Sequence, residues 1–436
     1  TDSFLVAYIV TNNKIEIQDL KLYISNLVPE YMVPNYFVLL DEMPLTTNGK
    51  TDSKKLDEIP LKLNSSSHYV KPRNDFEKDF VEIVQKTLNT NKIGIDDNII
   101  ELGADSLTLM KITIQLLEKN YIVNIQDIYE HKTIRLISDN MQNPNNSSLN
   151  YLDLKEPLSY DFDEKFDNKL LKIKNILLTG STGFLGSHIL NELLENTSYN
   201  IHCIVRNKNN QTSEERLLHK LKFYFGKDFS SYIGNRIKVI PADISLPNLG
   251  LDIKAYTGLG SKIDVAIHCA AVVDHYGDNT LFENINITGT KNIINFCKDF
   301  NIYMNHISTT SVSSYIPDSD KSVTFNEHNL YVGQNYYDNV YIKTKFGAEY
   351  DIWKEINEGM NISIYRLGNI SARYSDGKFQ ENDDKNAFLN RILTLSKFKK
   401  LSKSIAEFSI DMSPVDICAS IIATAIKYKS SYPKTF

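Results

Sequence analysis

The stretch that most restricts how this chain can fold is Leu177–Gly186, LLTGSTGFLG. It follows an apolar run (Ile173, Ile176, Leu177, Leu178) that reads as a buried strand, and it leads into a helical pattern. Glycines at 180, 183 and 186 make the order strand, G-x-x-G-x-x-G, helix. That order suits a dinucleotide pyrophosphate. The first glycine makes the tight turn, the second lets backbone approach phosphate, and the third packs helix on strand. Glycines also cluster in ordinary turns, so the flanking strand and helix give the pattern its meaning. The loop residues expected along such a cofactor are Gly180, Thr182, Gly183, Phe184, Leu185 and Gly186.

Downstream the chain alternates strands and helices, with strands near 173–179, 201–205, 236–240, 263–268, 302–308 and 361–366. Such alternation predicts an α/β fold, a Rossmann-type doubly wound parallel sheet. The second strand ends at Arg206, twenty residues after Gly186, where an NAD site usually places a carboxylate on the ribose. No carboxylate is present there, and Arg206 with Lys208 suits a 2′-phosphate, hence NADPH; a solvated basic turn is the alternative. Asp243, in PADIS, fits the place of an adenine contact or a plain turn aspartate, and Ala270, in HCAA, is grouped with the cofactor contacts.

Thr309 sits just past a strand, and Tyr341 and Lys345 stand four apart on one helix face. Lys345 beside the phenol is expected to favour its ionised form, tuning Tyr341 for acid–base work, and its ammonium to hold the nicotinamide ribose as well. The Thr309 hydroxyl is placed to hold a substrate carbonyl. His268 and His275 have no clustered partners and read as structural, so no metal site is expected. No Gly-x-Ser-x-Gly elbow occurs, which removes a serine thioesterase.

The preceding residues carry two smaller units. Residues 1–63 combine an alternating strand (FLVAYIV), a helix at Ile17–Leu27 and a Thr-Asn-Gly turn, a small α+β unit with a hairpin. Residues 72–141 show amphipathic helices at Asp75–Leu88, from Ser106 onward, and near Thr133–Met141, a three- or four-helix bundle. Asp-Ser ahead of a helix reads first as an N-cap. A polar, Asn/Ser/Asp-rich stretch at 142–170 reads as a linker.

With 436 residues, two to four domains are expected. The net charge of −6 gives no general attraction to nucleic acid or an anionic membrane. No apolar run approaches the roughly 18 residues of a spanning helix. Cys203, Cys269, Cys297 and Cys418 lack C-x-x-C spacing and read as buried thiols in a reducing cytoplasm. Nothing in the sequence indicates an oligomer. Without an initiator Met, the chain reads as starting inside a domain.

Five phrases resemble known families. PLTTNGKTDSKKL resembles the last motif of nonribosomal peptide synthetase adenylation domains, whose lysine, here Lys50, holds the acyl-adenylate; the resemblance makes it a remnant, since that family's ATP-binding core is missing. IIELGADSL resembles the attachment motif of peptidyl or acyl carrier proteins, which implies 4′-phosphopantetheine on Ser106, with Ala104 where glycine is usual. HCAAVVDHYGDNTLFENINITGTKNI, YRLGNISARYSDG and DMSPVDICASII resemble the extended short-chain dehydrogenase/reductases, and more narrowly their thioester reductase branch, across 171–436. That resemblance implies a Thr309–Tyr341–Lys345 triad, with Asn286 supporting the proton relay. It also implies a C-terminal substrate-covering part that would extend beyond Phe436. Together the resemblances imply NADPH reduction of a tethered acyl or peptidyl thioester, served by a phosphopantetheinyl transferase and upstream synthetase domains. The rivals are a sugar-nucleotide epimerase or dehydratase with bound NAD, and a nucleotide-binding scaffold without reduction.

Overall fold

The computed structural model describes residues 5–11, 36–46, 51–57, 69–88, 93–104, 106–142, 157–159, 170–208, 211–274, 279–314, 324–336, 339–381 and 411–428, with a few single positions between them. The chain forms two compact units, one mainly from 1–150 and one mainly from 151–436.

In the first unit β1 (Val6–Val10) and β2 (Tyr36–Leu40) pair in parallel, from Val6 opposite Tyr36 to Val10 opposite Leu40. Leu45 and Thr51 bridge antiparallel around the Thr-Asn-Gly turn, and α1 (Ser53–Asp57) follows. The helix expected at 17–27 lies outside the described residues except at 20, 23 and 24, which are helical.

Among the described residues this unit also holds α2 (Asp75–Thr87), α3 (Ser106–Glu118), α4 (Ile125–His131) and α5 (Ile134–Gln142). The Asn74 carboxamide starts α2 by accepting from the Glu77 amide at 2.8 Å. Phe80, Val84, Ile99, Leu109, Ile112, Leu116 and Ile128 bury a common core, each contributing about 1.5–3 kcal/mol of transfer free energy. Glu77 is fully buried, and Arg73 neutralises it while also reaching Asp139 on α5 at 2.6 Å. The short helix α4 was not expected as a separate element. Seven residues are too few for a period to show, although Asn124 and Asp127 form a capping box.

The second unit is a parallel sheet in the order β10–β8–β7–β4–β5–β6. Its strands are β4 (Asn175–Thr179), β5 (Asn200–Val205), β6 (Ile237–Pro241), β7 (Val265–His268), β8 (Tyr303–Thr309) and β10 (Ile362–Leu367). Both faces are covered, and the central strands β4 and β7 are the most apolar. Leu177, Ala266 and Met304 face one core with Ile293, Phe296 and Trp353; Ile176, Leu178 and Cys203 face the other with Ile189, Leu193 and Ile422. The crossover helices are α6 (Phe184–Asn196), α7 (Ser213–Phe225), α8 (Ile253–Gly260), α10 (Gly289–Asp299) and α11 (Val340–Asn357). A short α9 (Asn279–Phe282) runs into a π-helix (Glu283–Thr288) ahead of α10. The strand order turns at β4 and β7, which opens a crevice at their carboxyl ends. Register there aligns Thr179 with His268, and His268 with His306.

Leu158–Ser159, within the stretch read as linker, forms β3 and pairs antiparallel with β9 (Asn329–Tyr331). Leu154 and Leu158 pack on the core that holds Trp353, so the last part of that stretch belongs to the second unit. Two short strands, β11 (Ile370–Ser371) and β12 (Ser413–Pro414), lead into α12 (Val415–Ala425), which packs on α6.

Candidate active site

The loop between β4 and α6 has the shape of a phosphate cradle. Gly180 has φ +75°, and a Cβ there would lie 2.7 Å from the Ala270 nitrogen. A Cβ on Gly186 would lie 2.1 Å from the Gly180 oxygen. Only glycine fits either place, which is the packing a pyrophosphate-binding turn needs. Gly183 donates its amide to the Gly180 carbonyl (2.9 Å) and caps α6, whose first-turn amides helix geometry leaves without intrahelical acceptors. Thr182 is half-buried in the turn. The Leu185 side chain packs on the core, and the Phe184 ring meets His188, Tyr224 and Phe379 edge-on or tilted at 5.1–5.5 Å. These two residues therefore offer a ligand their backbone rather than their side chains.

At the end of β5, Arg206 Nη1 stands 3.6 Å from Asp243 Oδ2. Asp243 Oδ1 accepts from the Ser245 amide (2.9 Å) and hydroxyl (2.7 Å). The structure thus brings together the two residues expected at the adenosine end. It adds one that sequence reasoning missed: Arg216, on the first turns of α7, donates to the Arg206 carbonyl. Burial, and then the nearby Arg206 charge, pull Arg216 below the ordinary guanidinium range. Two neighbouring guanidinium groups suit a dianionic phosphate.

Thr309 closes β8, and its Oγ1 accepts from the Ser311 amide at 3.2 Å. Tyr341, on the first turn of α11, stands close enough for the Thr309 hydroxyl to act on its phenol. Burial raises the Tyr341 phenol above its ordinary range, and Thr309 opposes this, while Cys269 adds to it. This corrects the expectation that Lys345 lowers the phenol. Lys345 Nζ instead donates to the Ile307 carbonyl (2.7 Å) and stands 3.4 Å from His306 Nε2. Burial pulls the Lys345 amine down to about 8 against the raising influence of Glu349. His306, aligned with His268, has its Nδ1 buried without a partner, and burial holds its imidazole neutral.

Asn286 lies in the π-helix, a widening that recurs at functional sites. Its Oδ1 accepts from the Val272 amide (2.8 Å), while its Nδ2 donates to the Val272 carbonyl and to Thr344 Oγ1, both at 3.0 Å. Its carbonyl accepts from the Thr290 hydroxyl at 2.6 Å. Among the described residues no bond joins Asn286 to Lys345, and its amide braces the 272 loop against α11. Ala270, beside Gly180, donates to Thr179 Oγ1 at 3.1 Å.

In the first unit, Ser106 is the first residue of α3. Gly103 ahead of it has φ +95°, and Ala104 is buried, so the extra methyl is absorbed by the core. Lys50 and His275 lie outside the described residues. Among the described residues no group of three His, Cys, Asp or Glu side chains is placed to hold a metal, and no helix is long and apolar enough to cross a membrane. Cys203, Cys297 and Cys418 are buried thiols, and Cys269 is partly buried.

Residues 178–422 match the NAD-binding model described as male sterility protein, and 78–140 match the phosphopantetheine attachment site. A thiolation-reductase di-domain from an archaeal non-ribosomal peptide synthetase aligns with a TM-score of 0.70 and 31% identity, over 85% of this chain and 79% of that one. A linear gramicidin synthase of Brevibacillus parabrevis is 26% identical over 96% of this chain, and L-2-aminoadipate reductase of Saccharomyces cerevisiae is 25% identical over 94%. The chain spans 8% and 32% of the length of these two relatives.

Proposed function

The chain belongs to the male sterility NAD-binding family and carries a phosphopantetheine attachment domain, and from that premise we propose that it releases a carrier-bound acyl or peptidyl thioester by reduction to an aldehyde. We assign 1–63 to the end of an adenylation domain with Lys50 as its remnant lysine, 72–141 to the carrier, 142–170 to the connection, its last part packed on the second unit, and 171–436 to the reductase. The observation that carries the reading is the pairing of Tyr341 with Thr309 at the end of β8, on a sheet whose glycine loop has no room for side chains at 180 and 186.

When bound, NADPH supplies the hydride and a phosphopantetheine arm on Ser106 supplies the thioester. The residues that would hold the dinucleotide are the backbone of 180–186, Ala270, Arg206 with Arg216 at the 2′-phosphate, and Asp243 at the adenosine. Tyr341 and Thr309 hold the carbonyl oxygen as it becomes negative, and Tyr341 gives it a proton; the carbon–sulfur bond then breaks, leaving the aldehyde and a thiol, with the hydroxyl proton passing to sulfur. A phenol held above its ordinary range is protonated at neutral pH, which is the state a reductive direction requires. Lys345, anchored on the Ile307 carbonyl, keeps a cation beside the ribose side of the cleft. Asn286 positions the 272 loop. Upstream synthetase modules, a phosphopantetheinyl transferase and a cytoplasmic setting complete the proposal.

The test uses the full chain, loaded at Ser106 by a phosphopantetheinyl transferase and an acyl-coenzyme A. Loss of NADPH absorbance with aldehyde formation is expected, and Tyr341→Phe lowers the rate by about 10²-fold or more. Turnover that persists unchanged in Tyr341→Phe, or aldehyde released from a Ser106→Ala chain treated identically, overturns the reading.

A further inference from the structure

The dinucleotide loop and the helix bearing the proton donor stand on different strands, yet a directed series of hydrogen bonds runs between them. The Ala270 amide donates to Thr179 Oγ1 (3.1 Å), which lies 2.8 Å from His268 Nδ1. His268 Nε2 lies 3.0 Å from Thr290 Oγ1, and Thr290 donates to the Asn286 carbonyl at 2.6 Å. Asn286 Nδ2 donates to Thr344 Oγ1 (3.0 Å), whose hydroxyl is shared between the carbonyls of Val340 (2.8 Å) and Tyr341 (3.1 Å). Thr179, His268, Asn286, Thr290 and Thr344 are all buried.

Counting protons fixes the direction. Thr290 has one hydroxyl proton, and the Asn286 carbonyl takes it, so Thr290 can only accept from His268. His268 therefore carries its proton on Nε2, and Nδ1 accepts from Thr179, whose oxygen in turn accepts from Ala270. Every hydroxyl donates once and accepts at least once. Burial pulls the His268 imidazole down to about 3, with the Lys345 charge adding to this, so the ring stays neutral at neutral pH. From Ala270 to the Asn286 backbone carbonyl each buried bond polarises the next, and the Asn286 side-chain amide then continues to Thr344 as a separate group.

We propose that His268 is a positioning residue that couples the loop over the dinucleotide, Ala270 to Val272, to the α11 turn that carries Tyr341. The loop is held at two points by the same series: at Ala270 through Thr179, and at Val272 through Asn286. Ala270 is also the residue against which Gly180 packs, so a shift of the loop is felt directly in the phosphate cradle. This inference rests on the functional reading above.

The experiment compares Thr179→Val, Thr290→Val, the double variant, His268→Gln and His268→Leu in the full chain. NADPH affinity is read by fluorescence titration, fold by thermal melting, and hydride transfer by single turnover of the loaded carrier. Thr290 sits on the far side of His268 from Ala270, yet Thr290→Val is expected to weaken NADPH about fivefold, as Thr179→Val does. The double variant is expected to fall within about twofold of either single one, because both break one series. Gln, which can still donate toward Thr290, recovers part of the loss that His268→Leu shows. Thr290→Val with unchanged NADPH affinity, or losses that multiply in the double variant, overturns the coupling while leaving the functional reading intact. A wild-type chain that fails to bind NADPH overturns both.

Discussion

Replacing Gly186 by alanine tests the cradle most severely. The new Cβ would fall 2.1 Å from the Gly180 oxygen and 2.7 Å from the Gly180 carbon, against an ordinary contact of roughly 3.4 Å or more, so something must move by over about 1 Å. Both colliding atoms are backbone, and Gly180 cannot retreat, since its own flank meets Ala270 and Cys269. Overpacking without a flexible neighbour costs about 1–3 kcal/mol or more, and a figure near the top of that range lowers the melting temperature by about 4–8 °C in a unit this size. The displaced turn is also where phosphate approaches, so NADPH affinity falls by about 100-fold. Gly183→Ala is the internal control for stability alone, since phosphate approaches the backbone there as well. Its Cβ would lie 3.2 Å from the Gly180 oxygen, a contact that small adjustments relieve. Thermal melts of the two variants should separate them clearly. Equal loss of melting temperature in both, or a Gly186→Ala chain with wild-type NADPH affinity, would refute the argument that these contacts shape the turn.

Other substitutions probe the remaining parts. The Lys345 amine falls from 10.5 to about 8 on folding, so the unfolded chain binds more protons between those values and stability rises with pH across that window. Lys345→Met should accordingly stabilise the chain by up to about 3 kcal/mol at pH 7, the gain shrinking as pH climbs above about 8, while turnover is lost; melts at pH 7 and 10 that show no such convergence would contradict it. Arg206→Ala should weaken NADPH by about tenfold and leave NADH nearly unchanged, and equal loss for both coenzymes argues against a 2′-phosphate site. Glu349 is fully buried and pairs with Arg366 at 2.7 Å, so Glu349→Ala should cost about 3–5 kcal/mol in denaturant unfolding by leaving a buried guanidinium unpaired. A cost below about 1 kcal/mol would mean that Arg366 finds water instead.

The sheet could be read from the sequence because short apolar-rich segments alternate with helical patterns, densest in β4 (NILLT) and β7 (VAIH), and β4, β5, β6, β7, β8 and β10 all lie within a residue or two of the expected positions. The glycine loop was readable for a related reason: glycine is required where backbone meets backbone, and that demand is local. What escaped depended on tertiary direction. Four-residue spacing put Tyr341 and Lys345 on one face but could not say that the lysine would turn to the Ile307 carbonyl. Arg216 became visible only when α7 folded back on the end of β5. Leu158–Ser159 looks polar in its surroundings and pairs with a strand some 170 residues away, a register no local pattern encodes. His268 read as merely structural because its value lies in three threonines and an asparagine scattered from 179 to 344.

Phe184 sits between the second and third glycines of the motif, at a position any pattern would write as x. Its ring is wedged among His188, Tyr224 and Phe379. Drift at this letter of the signature is thus tied to drift on a helix forty residues downstream and on a segment nearly two hundred residues away. Descendants that trade the phenyl ring for a smaller group should be found to have enlarged one of those partners, and a chimera that swaps only the glycine signature between distant relatives would inherit a loosely seated turn.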